Sequence, residues 1–325
     1  MPTADTIVSN ELPDDCTFNI ADLALRRRSL SVTRVREWFV YAGLVACGIF
    51  SLGVTLAIVG VLVTETIHFF QKDEVTITGF LFSTEWNPLL GKTKHFGIWS
   101  LISGTLVVTS IAMAFAIPLG LITAVYLSEY AKPRLRNVLK PVLEILAGVP
   151  TIVYGFFALT FITPLLQWIH TGFGAYNAMS GGLAVGILCL PTICSLTEDS
   201  LRAVPRALRE GALALGGTKF EVTVKVIIPA ALSGIISAFL LAAARAIGET
   251  MIVALAVGAM PRFTADPRSD MQTMTGFMAS MSTGDHSAYG IEYLSMYAVA
   301  FTLFLITFTL TLLGAYVRKR FREAY

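Results

Sequence analysis

Charge is scarce in this chain. Of its 325 residues only 14% are Asp, Glu, Lys or Arg, against about 25% in an ordinary soluble domain. The residue types that build catalytic and metal centres are thinly spread. Four histidines (His68, His95, His170, His286) lie far apart, so spacing assembles no nucleophile, base and orienting group. The four cysteines (Cys16, Cys47, Cys189, Cys194) fall mostly inside apolar runs, with no C-x-x-C pair. They read as small apolar fillers, and neither a metal site nor a cofactor is expected. No complete nucleotide loop is present either. Gly91, Lys92 and Thr93 match the end of G-x-x-x-x-G-K-[ST], but Trp86 stands where the phosphate-cradling turn needs glycine. The chain is therefore not expected to be an enzyme. A formal net charge of +2 gives no sign of a nucleic-acid partner.

What is abundant is apolar length. Hydrophobic residues make up 55% of the chain, the mean hydropathy is +0.70, and uncharged runs last 20 to 30 residues. Such runs suit helices crossing about 30 Å of hydrocarbon, whereas transmembrane strands alternate over about 10 residues. The expectation is an all-α integral membrane protein with six spans, near 38–64, 97–128, 141–169, 180–197, 229–260 and 293–317. The first run is twice the length of a signal-peptide core and is expected to stay as a span. A mixed segment to about residue 96 is too polar to cross and too short for a separate domain.

Lys and Arg alternate between the connecting segments: five before the first span, then three, four, none, five and two in successive loops, and four in the tail. The positive-inside rule then places both termini, and the loops around 135 and 215, in the cytoplasm. On this reading 1–37 is a cytoplasmic tail, 38–317 the six-span domain and 318–325 a basic cytoplasmic tail. Gly148, Pro150 and Gly155 are expected to kink the third span, either for packing or to line a pathway.

The loop at about 201–229 carries strong helical punctuation. RALREGALALGG after Pro205 reads as a helix that ends at Gly216 and Gly217. Thr218 and Glu221 form a T-x-x-E capping box for a second helix, and Pro229 stops it before the membrane. The two make a compact knob with a partly apolar surface (Leu213, Leu215, Phe220, Val224).

Inside the fifth span lie Arg245 and Glu249, four residues apart and so expected on one side of one helix. A central arginine costs about 2.5 to 3.5 kcal/mol on insertion scales. Either the two neutralise one another and fix packing, or the guanidinium offers a fork of donors to an oxyanion while the carboxylate accepts the proton of one such as hydrogen phosphate. Thr250, Ser103 and Thr105 are further candidate donors, although hydroxyls in membrane helices commonly bond their own backbone. About sixteen residues of helix, near 24 Å, separate knob from charge.

Glu210, Gly211, Ala212, Gly216, Val226, Ile228 and Pro229 resemble the EAA loop of ABC importer permeases: E-A-A, three residues, G, nine residues, I, one residue, L-P. Gly211 stands in place of Ala, and Val226 and Ile228 in place of Ile and Leu. SGTLVVTSIAMAFAIPLG, YLSEYA, LEILAGVPTIVYGFFAL and ARAIGETM resemble the permeases of the bacterial phosphate (Pst) ABC importer. The long N-terminal tail and the polar stretch with Trp86 and Pro88 are more similar to its PstC-type subunit.

The resemblance covers about residues 38–317. It implies a type I ABC importer (MetI-like) fold in the bacterial inner membrane, and ATPase coupling through Glu210, Gly211, Ala212, Gly216 and Pro229. It also implies a substrate pathway at Arg245 and Glu249, to which the reading of the residues adds Thr250. The implied partners are a PstA-type permease, two PstB-type ATPases and an extracytoplasmic PstS-type phosphate-binding protein. Another oxyanion (sulfate, molybdate, phosphonate) remains an alternative, as does an ion-coupled carrier using Glu249 as a proton relay.

Overall fold

A computed structural model describes residues 20–88, 94–284 and 290–320, with side chains from Arg36 onward. The Gly91 to Thr93 near-match and the first nineteen residues lie outside that range. The chain divides into two units, Met1–Val61 and Leu62–Tyr325, each taken by itself. Helix α1, Ile20–Phe70, makes up the described part of the first unit and enters the second. Its stretch Arg36–Phe70 has a mean hydropathy of 2.4, long and apolar enough to cross a membrane.

In the second unit, a small cap follows α1. Helix α2 (Ile77–Phe82) leads to a two-stranded antiparallel ribbon, β1 (Trp86–Asn87) with β2 (His95–Phe96), in which Trp86 faces Phe96. Phe69, Phe80, Trp86, Phe96 and Phe277 pack edge to face, with ring centroids 5.0 to 6.4 Å apart. This is how a segment too polar to cross the membrane still buries its aromatics.

Helix α3 (Trp99–Val125) continues through a π-turn at Tyr126–Tyr130. Helix α4 (Pro133–Ala147) is separated by Gly148–Pro150 from the span Thr151–Ile169, in which α5 (Thr151–Phe157), a π-turn and α6 (Thr163–Ile169) run on without a break. The third span therefore starts at Thr151 rather than near 141. Pro150 supplies no N–H and excludes Val149 from helical geometry, so the helix must end before it. Gly155 breaks nothing; a Cβ there would lie 2.9 Å from Leu255 Cδ1, so its role is close packing.

Helix α7 (Ala178–Arg202) packs along α3. Added Cβ atoms would meet Ile111 at 2.7 Å from Gly182 and Ile193 at 2.6 Å from Gly120, so small residues set the distance between the backbones. In lipid, where apolar side chains gain little by leaving one hydrocarbon for another, such close approach is the main source of helix association.

Helices α8 (Arg206–Ala214), α9 (Lys219–Val222) and, after a π-turn, α10 (Ile228–Ala230) form the knob. Helix α11 (Leu232–Ile247) follows at a 69° bend. It is succeeded by α12 (Met251–Ala256), α13 (Met274–Thr283) and α14 (Ile291–Arg320). Five helices are long and apolar enough to cross a membrane, and the bent pair Lys219–Ala230 and Leu232–Ile247 brings the number to six. The segment after α12, read from sequence as a polar loop, carries an unexpected element. Met271, Met274, Phe277 and Met281 are buried on and beside α13, and the Met274 amide bonds Thr105 Oγ1 of α3 at 3.0 Å.

Candidate functional site

The charged span is two helices. Helix α11 stops at Ile247, where the Gly248 amide closes onto Ala244 O at 3.2 Å, and α12 begins only at Met251. Arg245 and Glu249 therefore do not share one helical face. The Thr275 hydroxyl of α13 donates to the Glu249 carbonyl at 2.6 Å, giving an acceptor at the break a partner from outside the span. Among the ion pairs of the described residues, none joins Arg245 to Glu249. Mutual neutralisation does not describe this site.

Each charge instead meets a helix end of opposite sign. Arg245 lies in the last turn of α11, toward its carbonyl end, and Glu249 Oε1 accepts the Ile252 amide of α12 at 3.5 Å. Such placements contribute about 0.3 to 1 kcal/mol each at a surface and more when partly buried. Glu249 is buried, whereas Arg245 is exposed and donates from Nη1 to Thr192 Oγ1 at 3.1 Å. Thr250 is half-buried and turns its hydroxyl back to Gly248 O at 3.3 Å. Ser103 and Thr105 likewise bond Ser100 O and Leu101 O.

Thr192 was not singled out from the sequence; the available signal was a hydroxyl beside Pro191 within an apolar run. A cavity of about 330 Å³ starts at Thr192 and Leu241, one turn from Arg245, passes Ser195, and reaches Lys140, Glu144 and Glu198. From sequence Glu198, with Asp199, marks only the exit of the fourth span. It is 2% exposed and lies 2.7 Å from Arg136, 3.0 Å from Lys140 and 3.6 Å from Arg202, while Lys140 also reaches Asp199 at 3.0 Å. The Arg136 contact is an ion pair without hydrogen-bond geometry, since Arg136 Nε and Glu198 Oε1 make no hydrogen bond. Hydrogen bonds to Glu198 and then Asp199 hold the Lys140 ammonium above its usual range. The cluster ties α4 to the end of α7.

At the knob, α8 ends as its glycines require. Gly216 has φ +85°, its amide bonds Leu213 O at 3.0 Å, and the Gly217 amide bonds Ala212 O at 3.3 Å, the paired bonds of a Schellman cap. Thr218 and Glu221 form a complete capping box. Leu215 is 90% exposed and Phe220 68%, with Leu213 and Val224 also exposed. Glu210, Gly211 and Pro229 are exposed and Ala212 half-buried, so the five coupling candidates gather on one protruding element. Arg209 Nη1 reaches Glu129 Oε1 at 2.7 Å and Lys219 lies 4.9 Å from the Tyr130 ring, fastening the knob to the end of α3.

A multi-span bundle whose broken helix exposes a charge, and whose neighbouring helices project an apolar knob, defines a membrane permease. The chain belongs to the family of binding-protein-dependent transport system inner membrane components, whose sequence profile matches residues 116–323. It is 31% identical over 276 residues to the probable ABC transporter permease protein YqgH of Bacillus subtilis, covering 85% of this chain and 88% of that one. It is 33% identical over 261 residues to the phosphate transport system permease protein PstC of Mesorhizobium japonicum, covering 74% and 78%.

Among solved structures, a bacterial alginate ABC transporter bound to its periplasmic protein superposes with a TM-score of 0.62 at 15% identity, over 88% of this chain and 95% of that one. The MetNI methionine ABC transporter gives 0.52 at 17% identity, over 70% and 95%. The fold is that of a type I ABC importer permease. As a member of this family the chain is a membrane component rather than an enzyme.

Proposed function

We propose that this chain is the PstC-type permease of an ATP-driven phosphate importer. It forms half of the translocation pathway, with a PstA-type permease as the other half, two PstB-type ATPases beneath and a PstS-type binding protein outside. Residues 38–317 form the permease domain of a bacterial inner-membrane protein, and the tails 1–37 and 318–325 are cytoplasmic. The observation that carries the reading is Arg245, an exposed guanidinium that among the described residues has one hydroxyl partner and no carboxylate partner, at the break in a membrane helix. A planar fork of donors held at that depth suits a tetrahedral oxyanion. The relatives' names support phosphate.

Glu210, Gly211, Ala212, Gly216 and Pro229 couple to the ATPase, and Arg245, Glu249 and Thr250 line the pathway, Thr250 through its backbone. From Arg245 the anion leaves past Thr192 and Ser195 toward Lys140. The test is phosphate uptake by proteoliposomes carrying the assembled importer. Arg245→Ala is expected to cut uptake at least tenfold while assembly with the ATPase persists; undiminished uptake refutes the assignment. Sulfate or molybdate competing as well as phosphate would retain the importer and replace its substrate.

A further inference from the structure

Two cavities share lining residues on α11 and α14, and only Leu241 also lines the cavity that starts at Thr192. The first, about 430 Å³, is lined by Ser233, Gly234, Ser237, Arg318 and Lys319. The second, about 110 Å³, shares Ser237 and Arg318 with it and continues between Leu240, Leu241 and Ala244 of α11 and Leu310, Thr311 and Gly314 of α14. Among the described residues the first has two cations and no carboxylate in its lining; the second is mainly apolar. On α11 the lining recurs at 233, 237, 240, 241 and 244, and on α14 at 310, 311, 314 and 318, so one face of each helix builds one groove. Gly314 keeps it narrow without closing it, since a Cβ there would lie 3.2 Å from Leu240 Cδ1.

The dimensions match a lipid. From Ser233 to Ala244 is eleven helical rises, about 16 Å, close to the roughly 15 Å of one leaflet's hydrocarbon. The basic end lies where α14 leaves its apolar stretch, at Arg318, Lys319 and Arg320, the level of the headgroups.

We propose that this groove binds one anionic glycerophospholipid. Its phosphate sits among Arg318, Lys319, Ser233 and Ser237, and one acyl chain lies along Leu240, Leu241, Ala244 and Gly314. Charge complementarity selects an anionic headgroup over a zwitterionic one, since each basic residue near the surface favours anionic lipid by about fivefold. Ala244 immediately precedes Arg245, so the chain would brace the helix turn that carries the pathway arginine.

Native mass spectrometry of the purified importer, titrated with phosphatidylglycerol or phosphatidylcholine, tests the site. Phosphatidylglycerol is expected to be retained in preference, and the double variant Arg318→Gln, Lys319→Gln to lower its affinity about 25-fold. Gly314→Leu is expected to block retention with no change of charge. Equal retention of both lipids, or retention untouched by the double variant, overturns the proposal. So does displacement of the lipid by inorganic phosphate, which marks a free-anion site. A Thr311→Cys side chain cross-linking to the second permease subunit likewise overturns it, by showing a protein helix in the groove. None of these readings depends on which substrate is transported.

Discussion

Glu198→Ala should be among the most damaging single substitutions beyond Arg245, Glu249 and Thr250. The carboxylate is 2% exposed and lies 2.7, 3.0 and 3.6 Å from Arg136, Lys140 and Arg202. At an effective dielectric near 20 the closest contact represents about 6 kcal/mol of gross attraction, most of it offset by desolvation. Removing the carboxylate leaves three cations converging, of which Lys140 keeps its contact with Asp199. Breaking buried pairs this way costs about 3 to 5 kcal/mol. The cations are 23%, 31% and 47% exposed and can turn to water, which places the cost near the lower figure of about 3 kcal/mol. For a chain of this size that lowers an apparent melting temperature by roughly 4 to 5 °C. Arg202→Ala, removing the longest and most exposed contact, should cost under about 1 kcal/mol. Tryptophan-fluorescence melting of the purified complex measures both. If the two variants melt together, within about 2 °C of the parent, the cluster does not hold α4 to α7 and the reasoning fails.

Three further outcomes rest on the same packing. Gly216 has φ +85° with nothing within 4 Å of a Cβ, so Gly216→Val should cost about 1 to 2 kcal/mol in backbone strain alone, with Gly216→Asn costing less; ATPase co-purification should follow that order. At Gly234 the obstacle is a neighbour, because a Cβ would fall 2.3 Å from Ser200 Oγ; Gly234→Val should abolish stable expression, and Ser200→Gly should restore part of it. The Lys140 bridge should be insensitive to pH in the working range. Its pKa is raised from 10.5 by Glu198 and then Asp199, so the stabilisation is complete below 10.5 and lost only as pH rises through the higher folded-state value. No step in melting temperature traceable to Lys140→Gln should appear between about pH 7 and 9.

The sequence announced the spans because uncharged runs of membrane length have few other uses, and the knob because Pro205, the Gly216-Gly217 pair and Thr218 with Glu221 are local signals that need no partner. What it hid was non-local. Helix α13 was obscured because TMTGFMASM is short and has no periodic polar face, and it becomes a helix by burying Met274, Phe277 and Met281 against other elements. The break after Ile247 was missed because Gly248 alone is tolerated in a membrane helix; the hydroxyl of Thr275, 26 positions from Glu249, gives the buried Glu249 carbonyl its partner. Glu198 looked like a charge marking the end of a span, and only the approach of α4 makes it the centre of three cations. The pathway candidates were thus found by type, while their relation to each other was not.

That corrected relation changes how the two ends of the chain's charged span can communicate. A straight helix from Pro229 to Glu249 would transmit motion as one rigid shaft. The bend of 69° between α10 and α11 and the break between Ile247 and Met251 leave α11 as a sixteen-residue rod, about 24 Å long, jointed at both ends. Near the first of these joints Gly234 fits closely against Ser200 of α7, which on the proposed mechanism is the fulcrum. Arg245 is eleven rises from Gly234, about 16 Å, so a tilt of roughly 10° would carry it about 3 Å sideways. That displacement is enough to part the guanidinium from Thr192, now 3.1 Å away. Glu249, beyond the second joint and held through its carbonyl by α13, need not follow. On the proposed mechanism, a small movement at the knob therefore separates donor from carboxylate and changes what the pathway offers an anion, with no large rearrangement of the bundle.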